Sequence, residues 1–276
     1  MASKDNIYVF WWSSVRFENK SQENFGDILS KYLVEKISGK QVVWRHPKKQ
    51  KWHLFKKPIY FTTGSILAHV DSKSVVWGSG IISKLDQVAK ATFLAVRGPE
   101  TYTFLKQKGY PVNAVFGDPA ILLPNLYQPK TSKRYALGII PHYVDYPAVS
   151  AWYQNDATVK VINLLNNDVE SVIDAVASCE RIISSSLHGV IVSHAYRIPA
   201  IWVEFSKKLS GDGVKFIDYF ASVELTPYKP KLIGEKIEMD KALTLTSQFP
   251  NLPKAADLEL LGKQLMEVCP FVERET

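Results

Sequence analysis

Cysteine is scarce in this chain: Cys179 and Cys269 are the only two in 276 residues. Their separation fits no disulfide scaffold, redox pair or zinc site. The 6 histidines and the acidic residues fall in no metal-ligand spacing either, so no metal is expected. No apolar run approaches the roughly 18 residues that a membrane span requires. The first residues, Met1-Ala2-Ser3-Lys4-Asp5, lead directly into a strand-like stretch. They lack the apolar core and cleavage site of a signal peptide. A reduced, cytoplasmic protein is therefore expected. There is no internal repeat, no GxGxxG fingerprint and no Walker loop. What remains is globular. Hydrophobic residues make up 46%, aromatic 12% and charged 22%, which excludes disorder, collagen and coiled coil. The length corresponds to about two domains at roughly 150 residues each.

Positive charge exceeds negative, with 34 Lys+Arg against 27 Asp+Glu and a net charge of +7. The excess is uneven. Lys36, Lys40, Arg45, Lys48, Lys49, Lys51, Lys56 and Lys57 fall between Lys36 and Val70, where no acid occurs. Trp44 and Trp52 lie among them, and Trp11-Trp12 lies upstream. Such a stretch fits an anionic membrane face or an anionic substrate; the alternative is a solvated loop. No nucleic-acid-binding motif accompanies it, so no nucleic acid partner is expected.

Short apolar runs alternate with helical patterns, the mark of α/β units with parallel strands. Strands are predicted at Ile7–Trp12, Gln41–Trp44, Ile59–Thr62, Ser74–Trp77, Thr92–Val96 and Asn113–Phe116. A second series follows at Arg134–Ile140, Thr158–Ile162, Arg181–Ser184 and Ala200–Glu204. Pro99 and Gly109 bracket one helix. Asn167 and Glu170 read as a capping box before an amphipathic face of Val169, Val172, Ile173 and Val176. The polar segment Pro124–Lys133 separates the series. The expectation is an α/β fold of two Rossmann-like domains facing each other across a cleft, residues 1–127 and 128–253. A C-terminal helix within 254–276 is expected to pack back on the first.

Ligands of open α/β sheets bind at the carboxyl ends of strands, and several candidates cluster there. Ile183-Ser184-Ser185-Ser186-Leu187-His188-Gly189 runs from a strand through three serines into a helix. A helix start offers free N–H groups and the positive end of a dipole, so this is a candidate anion cradle with His188 inside it. Otherwise His188 caps a buried turn. Val96-Arg97-Gly98-Pro99 repeats the plan; the Arg97 guanidinium suits phosphate or carboxylate, or else a structural ion pair. Thr63-Gly64-Ser65, Gly78-Ser79-Gly80 and Gly117-Asp118-Pro119 place glycines at strand ends. Asn24-Phe25-Gly26-Asp27 opens a helix, where Asp27 either caps it or faces the cleft. Pro141-His142 ends another strand, and Lys215 follows the glycines Gly211 and Gly213.

Taken in order from residue 24 to 219, these segments resemble the polysaccharide pyruvyl transferase family. They are closest to the ketal pyruvate transferases of bacterial exopolysaccharide synthesis. The resemblance rests on Asn24–Ser30, Thr63–Leu67, Val76–Ile81, Val96–Thr101, Gly117–Pro119, Ile140–His142, Ile183–Gly189 and Lys215–Tyr219. It implies a GT-B-like fold with no cofactor. Phosphoenolpyruvate would be the donor. The acceptor would be a sugar, carried on a lipid-linked oligosaccharide at the inner face of the plasma membrane. The product would be a pyruvate ketal on two sugar hydroxyls. The family holds its donor with an arginine in the first half, which Arg97 matches. It also uses an Arg-Leu-His segment in the second half, where this chain has Ser186-Leu187-His188. Lys215 or the serines would replace the missing guanidinium.

On that basis His188, Arg97, Asp27 and His142 are the catalytic candidates. His188 would be the acid, and Asp27, Asp118 or His142 the base. Asn24, Gly26, Gly64, Ser65, Gly80, Asp118, Ser184, Ser185, Ser186, Leu187, Gly189 and Lys215 would bind substrate. Two other functions compete. A GT-B glycosyltransferase would use a nucleotide sugar, with Glu204 on its ribose. A basic binding module would perform no chemistry.

Overall fold

The computed structural model describes residues 6–49 and 57–272. Lys51, Trp52 and Lys56 of the basic stretch, with Met1–Asp5, lie outside the described residues. Two five-stranded sheets, both all-parallel, organise the chain as an α/β protein. The first contains β1 (Ile7–Val9), β2 (Val42–Trp44), β3 (Ile59–Phe61), β4 (Ser74–Trp77) and β5 (Thr92–Ala95), in the order β2-β1-β3-β4-β5. Helices α1 (Ser14–Glu18) and α2 (Phe25–Ser38) follow β1; α3 (Pro99–Gln107) and α4 (Leu123–Leu126) follow β5. The second sheet contains β6 (Leu137–Ile140), β7 (Val159–Val161), β8 (Ile182–Ser184), β9 (Ala200–Glu204) and β10 (Lys231–Leu232). Its order is β10-β9-β8-β6-β7. Between and after these strands run α5 (Tyr146–Trp152), α6 (Val169–Ala177), α7 (Leu187–Ala195), α8 (Val214–Ser222), α9 (Met239–Gln248) and α10 (Ala255–Glu267). Numbered within its own half, each sheet has the order 2-1-3-4-5, a shared plan with no trace in sequence self-similarity.

The strands are apolar because helices cover both faces. Ile182, Ile183 and Ser184 of β8 are fully buried, as are Ile139 and Ile140 of β6. One core joins the two sheets: Phe25, Leu29 and Leu33 of α2 pack with Val190 and Ile191 of α7, Trp77 and Ala95 of the first sheet, and Ile140 and Ile182 of the second. Each such side chain contributes about 1.5–3 kcal/mol on burial. The last helix reaches the first sheet. Trp77 Nε1 donates to the Leu265 carbonyl at 2.8 Å, and the Phe271 ring packs edge-on to Trp77 and against Tyr60.

Three local expectations are corrected. Asn113–Phe116 forms no strand; only Val112 and Phe116 make single bridges, to Phe93 and Val96. Pro111 lacks an N–H and Asn113 is a poor strand former, so the ladder does not continue. The strand predicted over Ile7–Trp12 ends at Val9, because the chain leaves the sheet there toward the cleft. The cap of α6 is Asp168, whose side chain accepts from Ser171 N. Asn167 is taken instead by Glu23, whose N–H it accepts at 2.8 Å, and Glu170 bonds Tyr32 and Lys36.

Candidate functional site

Each sheet reverses its strand order once, between β1 and β3 in the first and between β6 and β8 in the second. Crevices form at such switch points, outside the carboxyl ends of the strands. Here the two switch points open onto one cavity of about 370 Å³. Trp12 reaches it from after β1, Gly64 and Ser65 from after β3, His142 and Tyr143 from after β6, and Ser186, Leu187 and His188 from after β8. Asn24 and Asp27 of the α2 entrance complete the wall, with Lys215 of α8 and residues 208–210 of the loop before it.

The α2 entrance is set by its cap. Asn24 Oδ1 accepts from Gly26 N at 2.9 Å, which places Asp27 in the first helical turn. The entrance is also pinned to the second half, where Phe25 N donates to the Leu164 carbonyl at 2.7 Å. Gly26 is required for space: a Cβ there would collide with His188 Nδ1 and lie 2.7 Å from its Cγ. On the other side of the imidazole, His188 Nε2 lies 3.4 Å from Asp118 Oδ2. Both atoms are buried and neither has another partner. Asp118 Oδ1 accepts from Ala120 N at 3.0 Å, which fixes the carboxylate. Asp118 thus stands behind His188, and Nδ1 is the nitrogen on the Gly26 side.

The charges here are tuned by burial. Desolvation raises the Asp27 carboxyl to a pKa of about 7, with His188 pulling it back and Glu23 and Glu18 pushing it up. Desolvation also lowers Lys215 to about 8, helped by the nearby Arg97 charge and opposed by Asp27. His142 falls to about 4 through desolvation and then Lys215, so it is neutral near pH 7. A carboxyl and an amine both shifted toward neutrality in one cleft mark it as a candidate site for proton chemistry.

Not every expected residue reaches the cavity wall. Asn24, Asp27, Gly64, Ser65, His142, Ser186, Leu187, His188 and Lys215 do. Ser184 and Ser185 do not. Ser184 Oγ donates toward Ile140 O and Ser186 O and accepts from Ser186 N, and Ser185 Oγ accepts from His142 N at 2.9 Å. They brace the turn. Ser186 caps α7, and its hydroxyl makes no capping bond, so it is the serine turned to the cleft. Gly189 admits the packing of α7 on β6: a Cβ would strike Ser184 Oγ and lie 2.9 Å from Ile140. Gly80 makes room in the same way for the Arg97 guanidinium.

Arg97 itself lies behind the wall, fully buried. Its Nε donates to Asp218 Oδ2 at 3.0 Å, Nη1 to Ser65 Oγ at 2.6 Å and Nη2 to the Ile81 carbonyl at 2.7 Å. Asp218 also accepts from Thr101 N and Thr101 Oγ1 at 3.0 and 2.6 Å. The guanidinium is therefore a clamp between α8 and the first half, and its link to the cavity runs through Ser65. Glu204 lies outside the cavity lining.

Sequence reasoning passed over Asp218, although it lies one helical turn from Lys215. It also missed a group on the cavity wall: Glu18, His69, Tyr143 and Lys208. Glu18 follows the first strand and Tyr143 adjoins His142, positions where strand-end logic would have applied. Among the described residues no three His, Cys, Asp or Glu converge as a metal set, and no helix is long and apolar enough to cross a membrane.

Two parallel sheets sharing a cleft at their switch points define an α/β fold with a ligand crevice but not the chemistry done there. Comparison with known sequences does. The profile of the polysaccharide pyruvyl transferase family matches residues 24–206, a span that contains α2, β3, the second switch point and the His188 segment. An uncharacterized protein of Acanthamoeba polyphaga mimivirus is 30% identical over 259 residues, covering 88% of each chain. The chain belongs to the polysaccharide pyruvyl transferase family. It is accordingly a transferase, and its reaction is pyruvyl transfer to polysaccharide.

Proposed function

We propose that the protein transfers pyruvate from phosphoenolpyruvate to two hydroxyls of one sugar, in a polysaccharide or its lipid-linked precursor, forming a ketal and releasing phosphate. The observation that carries this reading is the placement of His188, backed by Asp118, in one cleft with Asp27 and Lys215. The two sheets would act as the halves of a GT-B-like enzyme, residues 1–127 on the acceptor side and 128–253 on the donor side.

The donor is a phosphate and a carboxylate on a three-carbon enol. Lys215, Lys208, the Ser186 hydroxyl and the free N–H groups at the start of α7 offer charge and donors for both. Ser186 and Lys215 stand in for the arginine that the family carries before its Leu-His pair. Donor binding stabilises the Lys215 charge, because an anion beside it offsets the cost of burial.

His188, protonated, gives a proton to the methylene carbon, and C2 becomes oxocarbenium-like. Asp118 behind Nε2 steadies the imidazolium and makes Nδ1 the reactive nitrogen. A first sugar hydroxyl adds to C2 and loses its proton to Asp27. The second hydroxyl then forms the other C2–O bond as the C2–O bond to phosphate breaks, and its proton leaves with the phosphate. Asp27 is the best base of the three candidates. Asp118 is screened by His188, and His142, with a pKa of about 4, is too weak a base. Closure of the cleft keeps water from the oxocarbenium.

The acid-free stretch from Lys36 to Val70, with Lys40, Arg45 and Lys48, would give the first half positive charge suited to a membrane carrying a lipid-linked acceptor. Flotation with anionic liposomes checks this, and absence of co-flotation removes it. Thermal unfolding with phosphoenolpyruvate, against UDP- and GDP-sugars, tests the donor. At about 100 times its dissociation constant a ligand stabilises by roughly 2.7 kcal/mol. A shift with phosphoenolpyruvate that is lost in Lys215→Ala is expected. A shift with a nucleotide sugar alone would make the protein a glycosyltransferase.

A further inference from the structure

The cavity is chemically divided. Part of its lining offers cations and donors: Lys215, Lys208, the α7 start and Ser186. The second end is a connected cluster of rings and an acid: Trp12, His69, Tyr143 and Glu18. Phosphoenolpyruvate has nothing to offer the second end. It is small, has no ring, and its negative charges are repelled by a carboxylate and by aromatic faces, which are themselves electron-rich.

This end is also built in advance. Trp12 Nε1 donates to Glu18 Oε1 at 2.7 Å, so the indole cannot swing about its side-chain bonds without breaking that bond. Phe17 packs against the indole at 4.5 Å between centroids and His69 flanks it at 5.5 Å. The second carboxylate oxygen, Glu18 Oε2, accepts from Tyr143 OH at 2.7 Å, a contact from the opposite half. Burial lowers the His69 pKa, leaving it neutral. A ring locked by a carboxylate that is itself locked from across the cleft is a preorganised surface. Each Glu18 oxygen retains a lone pair for a further hydroxyl donor.

We propose that this end is the acceptor subsite, where one pyranose ring stacks on Trp12 and gives a hydroxyl to Glu18, with its two reacting hydroxyls turned toward Asp27 and His188. The occupant must have an apolar C–H face for the indole and hydroxyls for the carboxylate, and it must be uncharged where it meets Glu18. A neutral hexopyranose meets all three conditions. The inference rests on the pyruvyl-transfer reading above.

The test is saturation-transfer NMR with methyl α- and β-pyranosides of galactose, glucose and mannose, on protein saturated with phosphoenolpyruvate. In the wild type, the ring-face protons of at least one pyranoside should receive the strongest saturation. Trp12→Ala should weaken that pyranoside by roughly tenfold, the order expected for one aromatic contact, while the melting shift caused by phosphoenolpyruvate is unchanged. Trp12→Phe should keep part of the affinity. Glu18→Gln, which preserves the shape, should weaken binding through the lost charge. The seat is overturned if no pyranoside receives saturation from the wild type, or if Trp12→Ala and Glu18→Gln both bind like the wild type. It is also overturned if the nucleobase of UDP or GDP takes the saturation from Trp12. A pyranoside that binds at Trp12 to a protein whose melting ignores phosphoenolpyruvate would keep the seat and refute the donor, so the two failures read differently.

Discussion

Replacing Gly26 by alanine separates catalysis from stability at one atom. The added Cβ would lie 2.7 Å from His188 Cγ and closer still to Nδ1. Ordinary carbon contacts begin near 3.4 Å, so Cγ must retreat about 0.7 Å and Nδ1 further. The ring can retreat only toward Asp118, whose carboxylate is held by Ala120 N. Misplacing a reacting group by about 1 Å costs on the order of 10²-fold. Alanine in the first turn of a helix is otherwise favourable, by about 0.4–1 kcal/mol over glycine. The imidazole displacement offsets that gain, leaving Tm within a few degrees of the wild type. The assay is phosphate release from phosphoenolpyruvate with the methyl pyranosides as acceptors, beside a melting curve and the ¹⁵N shifts of His188. A fall in kcat near 100-fold, an intact melt and a perturbed Nδ1 resonance are expected. If Gly26→Ala keeps activity within twofold while the Nδ1 resonance moves, His188 is not the group that transfers the proton.

The other predictions concern charge. The pH profile of kcat/KM should rise through about 7 as Asp27 ionises and fall above about 8 as Lys215 of the free enzyme loses its proton; a profile flat from 6 to 9 would contradict both roles. Asp27 also enters stability. Its folded pKa of about 7 lies above the usual carboxylate value, so the folded state holds a proton that the unfolded state has lost. Stability then falls as pH rises from about 4 to about 7. Asp27→Asn should flatten that fall in urea titrations, and an unchanged slope would refute the desolvation account. Asp218→Asn leaves the buried Arg97 charge uncompensated and should cost about 3–5 kcal/mol, roughly 10 °C in Tm. Joining it to Arg97→Met should recover most of the loss. Recovery of nothing would mean that the clamp holds through Thr101 rather than through charge.

Most of the fold was legible because parallel strands buried on both faces read as apolar runs, and among the described residues nine of the ten strands lie within predicted stretches. The exception, Lys231–Leu232, is a two-residue exposed edge with no apolar signal. Errors at element ends came from distant competitors. Asn167 carries the local signature of a cap, but an N–H from Glu23, 144 residues away in sequence, claims its side chain. The predicted strand at Asn113–Phe116 failed through local chemistry, since Pro111 and Asn113 were visible breakers.

The same division runs through the site. Strand-end logic found the segments that meet in the cleft, because the sheet order that makes them meet acts on whole loops. It could not say which hydroxyl of Ser184-Ser185-Ser186 faces inward. That depends on Ile140 O and His142 N, which arrive from another strand at separations of 44 and 43 residues. Arg97 illustrates the limit most sharply. Its partner Asp218 is 121 residues away, so a lone arginine at a strand end looked like an anion site.

The clamp nevertheless bears on the chemistry. Lys215 and Asp218 lie one turn apart on α8. Asp218 cancels the charge of Arg97, while Lys215 enters the cleft without such a partner, its pKa lowered to about 8 by burial. An incoming dianion therefore finds a cation whose charged form it stabilises, rather than one already committed to a carboxylate. Arg97 acts on that ligand at one remove: by donating to Ser65 Oγ it leaves the Ser65 hydroxyl proton free to point into the cleft. A single helix thus ties the halves together through its buried acid and presents the donor's counter-charge through its lysine. Any movement that opens the clamp would displace both at once.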